Sequence, residues 1–466
     1  MSSAPMSVID TTEAPVLAAP RRPEGRVSLR QFLQVIRDNV LATYAPEDFD
    51  KDFIARRLLW RRTFVVNEPS GVRHVLLDNA QNYRKSELSR RILEPGLGRG
   101  LITTDGELWR RHRRIMAPAF DPRSVAGYAP VMTEVTEEML ARWDALPERS
   151  VVDVAVAMMH TTLHIISRAM FSSDSDEIVD VVERGVSEYQ TTVRPSLLDL
   201  LHVPEWLTAL ISPRMADGIL DEFDASVDRL LTERGRAPDA EPKDLLARLI
   251  AARDGETGGG MTPQEVRDQV VTIFMAGHET TAQALAWTWY LLSHHPVAEA
   301  KLHEELAGVL GGRTPRNEDL VNLPYTRMVL EEAMRLYPPA HTLGREPIAA
   351  DEVLGHRIPA RSTVLVVPWM LHRKPSLWER PDRFEPERFS AEQTAARPRF
   401  AYLPFGAGPR ICIGAAFAMA EGMLILATIA QRYRLRLKPG HPVEPQGLIT
   451  IRPRYGLPMI LERRQG

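Results

Sequence analysis

Residues Thr262 to Ser293 constrain this chain more than any other stretch. Thr262, Pro263 and Glu265 make a helix start: a hydroxyl N-cap, a proline at the first helical position and an acid in the first turn. The following run, VVTIFMAGHETTAQALAWTWYLL, is apolar on most of its faces. It predicts a helix on the order of 45 Å long at about 1.5 Å per residue. A helix apolar nearly all round belongs inside a protein. The reading is therefore one large, mainly helical domain, undivided at the glycine-rich RDGETGGGMTP that precedes the run.

Strand-like segments are few. Thr63 to Asn67 and Ile358 to Pro368 are rich in β-formers, and the tail from Leu435 to Leu461 contains alternating short runs. Between Thr133 and Ile250 apolar residues recur mostly at helical spacing. The predicted fold is mainly α with a smaller β-containing lobe built from both ends of the chain. Residues 1–25, polar and containing proline and serine, read as a flexible lead-in, and 26–466 as a single domain. The lead-in lacks the basic start and apolar centre of a signal peptide. No apolar run approaches a membrane-spanning length, so no transmembrane anchor is expected. One cysteine in 466 residues fits a reducing cytoplasmic compartment. A net charge of −3 creates no field for nucleic acid.

That cysteine, Cys412, lies in FGAGPRICIG. It precedes AAFAMAEGMLILATIAQRY, Ala415 to Tyr433, which has helix-forming composition and helical spacing. Cys412 thus sits where a loop becomes a helix, and free amide N–H groups and the helix dipole favour a thiolate there. Gly406, Gly408 and Pro409 shape a loop that brings sulfur close to something flat and bulky. One thiol excludes a disulfide, a Cys-rich zinc site and an iron–sulfur cluster. A small buried hydrophobe, a nucleophile and the single axial ligand of a haem remain open.

The long helix contains AGHETT, Ala276 to Thr281. His278-Glu279 opens the H-E-x-x-H zinc pattern, but Ala282 stands at the second ligand position; His303-Glu304 fails likewise at Ala307. Gly277 inside an apolar helix, with hydroxyls that can bond back to carbonyls, predicts a local widening. Glu279 with Thr280 reads as a proton-delivery pair, against the plainer reading of a packing glycine beside ordinary polar residues. In VLEEAMRLYPP, Glu332 and Arg335 share a face at i,i+3, and Arg388 stands in the Pro386–Phe389 segment PERF. Trp109 and Arg113 share another face, suited to an anion inside, with Arg110 and Arg114 on the neighbouring one.

Taken in order, these pieces resemble the cytochrome P450 family of haem-thiolate monooxygenases, over roughly residues 30 to 460. FGAGPRICIG matches F-x-x-G-x-R-x-C-x-G at Phe405, Gly408, Arg410, Cys412 and Gly414. AGHETT matches the oxygen-binding helix motif, EAMR the E-x-x-R motif, PERF the segment that completes a Glu-Arg-Arg cluster, and Trp109 with Arg113 the W-x-x-x-R motif. The resemblance implies a long central helix crossing the core over the haem. It makes Cys412 the ligand of a haem b and places Ala276 and Gly277 beside O2. Trp109, Arg113, Arg345 and Arg410 become the partners of the haem propionates, and arginine suits bidentate carboxylate binding. Glu332, Arg335 and Arg388 become a structural cluster. Thr280 and Glu279 become the catalytic proton path, serving O2-dependent hydroxylation.

No dinucleotide fingerprint G-x-G-x-x-G is present and no flavin domain is expected, so the resemblance implies a separate ferredoxin or flavodoxin with its NAD(P)H reductase. Arg110, Arg111 and Arg114 are candidates for its docking face. The rivals are a peroxide-using enzyme of the same fold, a non-enzymatic haem sensor and a cysteine hydrolase. The family's pocket segments hold Leu93, Leu97, Leu101, Leu197, Leu198, Ala340, Leu343 and Ile449, which implies an apolar substrate. Arg84, Arg90, Arg91 and Arg99 keep a fatty acid among the options.

Overall fold

A computed structural model describes residues 17–23, 25, 28–58, 61–171 and 244–464, with isolated positions between 225 and 232. Six helices matter for the site: α1 (Glu87–Leu97), α2 (Gly106–Met116), α3 (Val154–Phe171), α4 (Pro263–His294), α5 (Pro324–Leu336) and α6 (Ala415–Arg432). In α4 the predicted start is a full capping box. Thr262 Oγ1 accepts from the Glu265 amide at 3.2 Å, and the Glu265 carboxylate accepts from the Thr262 amide at 2.8 Å. Every residue from Thr281 to Leu292 is buried. Trp287 stacks on Tyr337 with ring centroids 4.0 Å apart and donates its indole N–H to the Ile451 carbonyl at 3.1 Å. An aromatic that large is tolerated in the core because its one polar atom is satisfied.

By length and composition α3 is apolar enough to cross a membrane. In the fold that apolarity serves the core, where α3 packs along α4 and Thr162 donates to the His278 carbonyl at 2.9 Å. A five-stranded sheet holds β1 (Phe53–Leu58), β2 (Arg61–Val66), β3 (Tyr83–Lys85), β4 (Leu343–Pro347) and β5 (Thr363–Val366) in the order β1-β2-β5-β4-β3. β2 and β5 run parallel and the other neighbours antiparallel.

The expected lobe differs in one respect. The tail strands Tyr433–Leu437 and Pro458–Arg463 do not join this sheet; Pro458–Arg463 lies between Tyr433–Leu437 and Val151–Asp153 in a separate three-stranded sheet. Contacts with the core also begin ahead of the expected boundary at residue 25. The Ala18 amide donates to the Tyr290 hydroxyl at 3.2 Å, and the Tyr337 hydroxyl donates to the Ala18 carbonyl at 3.0 Å. Two buried tyrosines need partners for their hydroxyls, and the lead-in supplies them.

Candidate active site around Cys412

The chain reaches Cys412 through a loop only glycine can trace. Gly406 and Gly408 have φ of 71° and 70°, and a Cβ on Gly408 would collide with the Leu76 carbonyl. The Cys412 amide donates to the Phe405 carbonyl at 2.9 Å, and the Gly414 amide bonds the sulfur. α6 starts directly afterwards, with Gly414 at its N-cap. Cys412 is accessible, yet burial is the largest influence on its thiol and pushes its pKa up; the Gly414 N–H and the Arg113 charge act downward. A sulfur both reachable and densely surrounded lines an internal space rather than the outer surface.

A second accessible stretch lies on α4. Met275, Ala276, Gly277 and Thr280 keep accessible surface where the turns that follow are sealed. Thr280 Oγ1 donates to the Ala276 carbonyl at 2.9 Å. α4 remains α-helical throughout, so the expected widening reduces to hydroxyls tapping its carbonyls. A Cβ on Gly277 would meet Ile166 at an ordinary 3.6 Å, so helix packing does not demand glycine there. Glu279 is buried and turned inward, accepting from Thr450 Oγ1 at 2.6 Å.

Next to the cysteine loop lies a cationic cluster. Trp109 carries Arg410 over its ring at 4.3 Å; Arg410 pairs with Asp105 and donates to the Thr104 carbonyl at 3.1 Å. Arg113 donates to the Ile411 carbonyl at 2.6 Å, and Arg345 to the Gly344 carbonyl at 2.9 Å. Among the described residues no carboxylate lies within ion-pair distance of Arg113 or Arg345. Burial and the Arg410 charge lower the Arg345 pKa to about 10, with Asp105 opposing. Lys85 belongs here too: burial, then Arg345 and Arg410, lower it to about 7. Sequence reasoning missed Lys85, which only the β3–β4 register places opposite Arg345. Four cations against one Asp105 are costly unless an anion joins them. An accessible thiol near guanidiniums that have no carboxylate partner fits a haem, whose iron Cys412 would hold and whose propionates the cluster would hold.

Behind the thiol, Glu332 and Arg335 are fully buried and doubly bonded at 2.7 and 2.8 Å, and Arg388 adds a contact to Glu332 at 3.5 Å. The candidate docking arginines divide. Arg110 is exposed beside Glu107, whereas Arg111 pairs with Glu265 at 2.6 Å and Arg114 grips Asp254 at 2.9 and 3.1 Å. Two of the three therefore brace α2 against α4 and the loop before it. Of the expected pocket residues, Leu93, Ala340, Leu343 and Ile449 keep accessible surface, Leu97 and Leu101 are buried in the core, and Leu197 and Leu198 lie outside the described residues.

Glu421, in the second turn of α6, was also missed, although a lone acid in AMAEGMLILA is a signal. It is 1% exposed and makes no well-formed hydrogen bond; Thr281 is the polar group that steadies it. Burial raises its pKa from 4.5 to about 8. The folded state then holds a proton that the unfolded state releases above pH 4.5, so stability is greatest below that pH and falls until about pH 8. At about 1.4 kcal/mol per pKa unit the loss amounts to a few kcal/mol. Thermal unfolding at pH 5, 6.5 and 8 is expected to show this decline in wild type and a flatter profile in Glu421→Gln; parallel profiles count against the assignment.

The fold that carries this site has known counterparts. Residues 36–457 match the Cytochrome P450 family, and the chain belongs to it. It is 40% identical over 408 residues to "Cyclooctatin synthase" of Streptomyces melanosporofaciens, covering 86% of each chain. "Cyclooctat-9-en-7-ol 5-monooxygenase" of the same organism is 34% identical, with 92% of this chain and 94% of that one covered. The crystal structure of the cytochrome P450DA heme domain superposes with a TM-score of 0.81 at 27% identity, covering 97% of this chain and 98% of that one. The chain is a cytochrome P450 monooxygenase.

Proposed function

We propose that this enzyme hydroxylates a cyclic terpenoid alkene or alkenol, using a haem b held by Cys412 and electrons from a separate ferredoxin or flavodoxin. The observation that carries the haem site is the accessible Cys412 together with half-buried Arg113, which acts on its thiol, and buried Arg345, neither with a carboxylate partner among the described residues. When bound, haem supplies O2 activation; the protein's own groups bind, orient and deliver protons. Thr280 holds a hydroxyl on the accessible face of α4, and Glu279 beside it is the acid of the path. A peroxide-using enzyme needs no threonine-based proton relay, so the Glu279–Thr280 pair favours the O2-dependent reaction.

The names of the two Streptomyces relatives support the substrate class. The charges support it independently. Three arginines that a fatty acid would need are engaged: Arg84 with Glu346, Arg90 with Glu94 and Arg91 with Glu87. Arg99 is exposed. Titrating the purified haem protein with sclareol, a bicyclic diterpene diol, and with palmitic acid tests the choice. A saturable Soret shift with sclareol and none with palmitate is expected; the reverse overturns the terpenoid reading.

Thr280→Ala is expected to leave NADPH consumption within about threefold while peroxide released per NADPH rises severalfold, since the hydroxyl that holds the proton path is gone. Unchanged peroxide yield would remove Thr280 from the path.

A further inference from the structure

The turn Leu448–Thr450 joins two short antiparallel strands, Pro445–Gly447 and Ile451–Pro453, and its base is anchored from three sides. His341 Nε2 donates to the Leu448 carbonyl at 2.9 Å, and in the neutral ring His341 Nδ1 accepts from Thr342 Oγ1 at 2.8 Å. Burial lowers the His341 pKa, consistent with that tautomer. The Ile451 amide donates to the Pro339 carbonyl at 3.2 Å, and the Trp287 indole holds the Ile451 carbonyl. A hairpin tip held this firmly presents its two outermost side chains in fixed directions. Ile449 keeps 39% of its surface accessible, and Thr450 is 5% exposed with its hydroxyl on the Glu279 carboxylate.

We propose that Thr450 is a positioning residue for proton delivery: its hydroxyl fixes the Glu279 carboxylate, and so the anchored turn becomes part of the proton path. The inference rests on Glu279 and Thr280 acting as that path. Glu279 sits on a helix and has rotamers to choose from; a hydrogen bond to its carboxyl group from a rigid donor selects one of them. Glu279 and Thr450 lie 171 residues apart in sequence and on different elements, so the bond is tertiary and not a by-product of helix geometry.

The test uses haem-loaded full-length protein, a surrogate ferredoxin with its NADPH reductase, and sclareol as probe. Peroxide released per NADPH is compared in wild type, Thr450→Val, Thr450→Ser, Glu279→Gln and the Thr450→Val/Glu279→Gln double variant. Thr450→Val, which keeps the shape and loses the donor, is expected to raise the peroxide yield about threefold or more, with the Soret affinity for sclareol within twofold. Thr450→Ser is expected to restore the wild-type yield, and the double variant to be no worse than Glu279→Gln alone. Wild-type yield in Thr450→Val, no rescue by serine, or effects that add to those of Glu279→Gln overturn the positioning role while leaving the Glu279 path intact. Wild-type yield in Glu279→Gln itself overturns the path. Should Thr450→Val fail to load haem, the yield from Thr450→Ala decides in the same way.

Discussion

Arg335→Leu is expected to yield protein that does not retain haem, and Arg335→Lys protein that unfolds at markedly lower temperature than wild type. A guanidinium has five N–H donors, and here each has an acceptor. Nε and Nη2 bond the two Glu332 oxygens at 2.7 and 2.8 Å. Nη1 reaches the carbonyls of His372 and Pro381 at 2.8 and 2.7 Å, and Nη2 also reaches that of Arg383 at 2.9 Å. Three of these acceptors are main-chain groups of the segment that leads to the cysteine loop, so one side chain ties α5 to that segment.

Glu332 meanwhile accepts from the Glu385 amide at 2.9 Å. Leucine would leave a fully buried carboxylate and three carbonyls without their donor; breaking a buried pair from one side costs about 3–5 kcal/mol. Lysine keeps the charge but brings three donors from one point and cannot span the same acceptors. Burial lowers the Arg388 pKa, and its contact to Glu332 is long, so Arg388→Lys should cost less than Arg335→Lys. Thermal unfolding of the three variants, with haem content read from absorbance, checks the order. An Arg335→Lys protein that melts with wild type would show that the cluster does not hold the proximal side.

Much of this site was legible because its chemistry is written in local strings. α4 ends at His294 against an expected Ser293, and α6 at Arg432 against an expected Tyr433, since periodicity and capping residues are near-neighbour signals. Cys412, Arg410 and Gly408 were legible because the loop needs glycine at fixed offsets from the thiol. Lys85 was not: its partner Arg345 is 260 residues away, and only sheet register unites them. Thr450 carries no local mark at all, one hydroxyl in a tail of short strands. Arg111 and Arg114 misled as a basic face because Glu265 and Asp254, which neutralise them, lie some 140 to 154 residues on. A charge run shows its sign in sequence, but only the fold shows whether the charges are spent.

Cys412→Ser is expected to keep the fold and lose at least about a thousandfold in product formation. The side chain faces an accessible space, so swapping sulfur for oxygen opens no cavity and orphans no buried group. The loop is set by Gly406, Gly408 and the Cys412 amide bond to Phe405, all independent of the side-chain atom. Far-ultraviolet dichroism and melting of the two proteins freed of haem should therefore agree within a few degrees. What changes is the donor. A thiol ionises near pH 8.5, and the Gly414 N–H and the Arg113 charge favour its anion against burial. An alcohol ionises many units higher and stays neutral under the same influences. The thiolate's role is to push electron density that favours O–O cleavage, and a neutral hydroxyl cannot supply it, so O2 reduction should end as peroxide instead of product. The reduced carbon monoxide complex should absorb at shorter wavelength than in wild type, reporting the ligand directly and not through turnover. Serine that keeps both the wild-type spectrum and the wild-type turnover would mean that the ligand is not Cys412. No second cysteine exists to take its place.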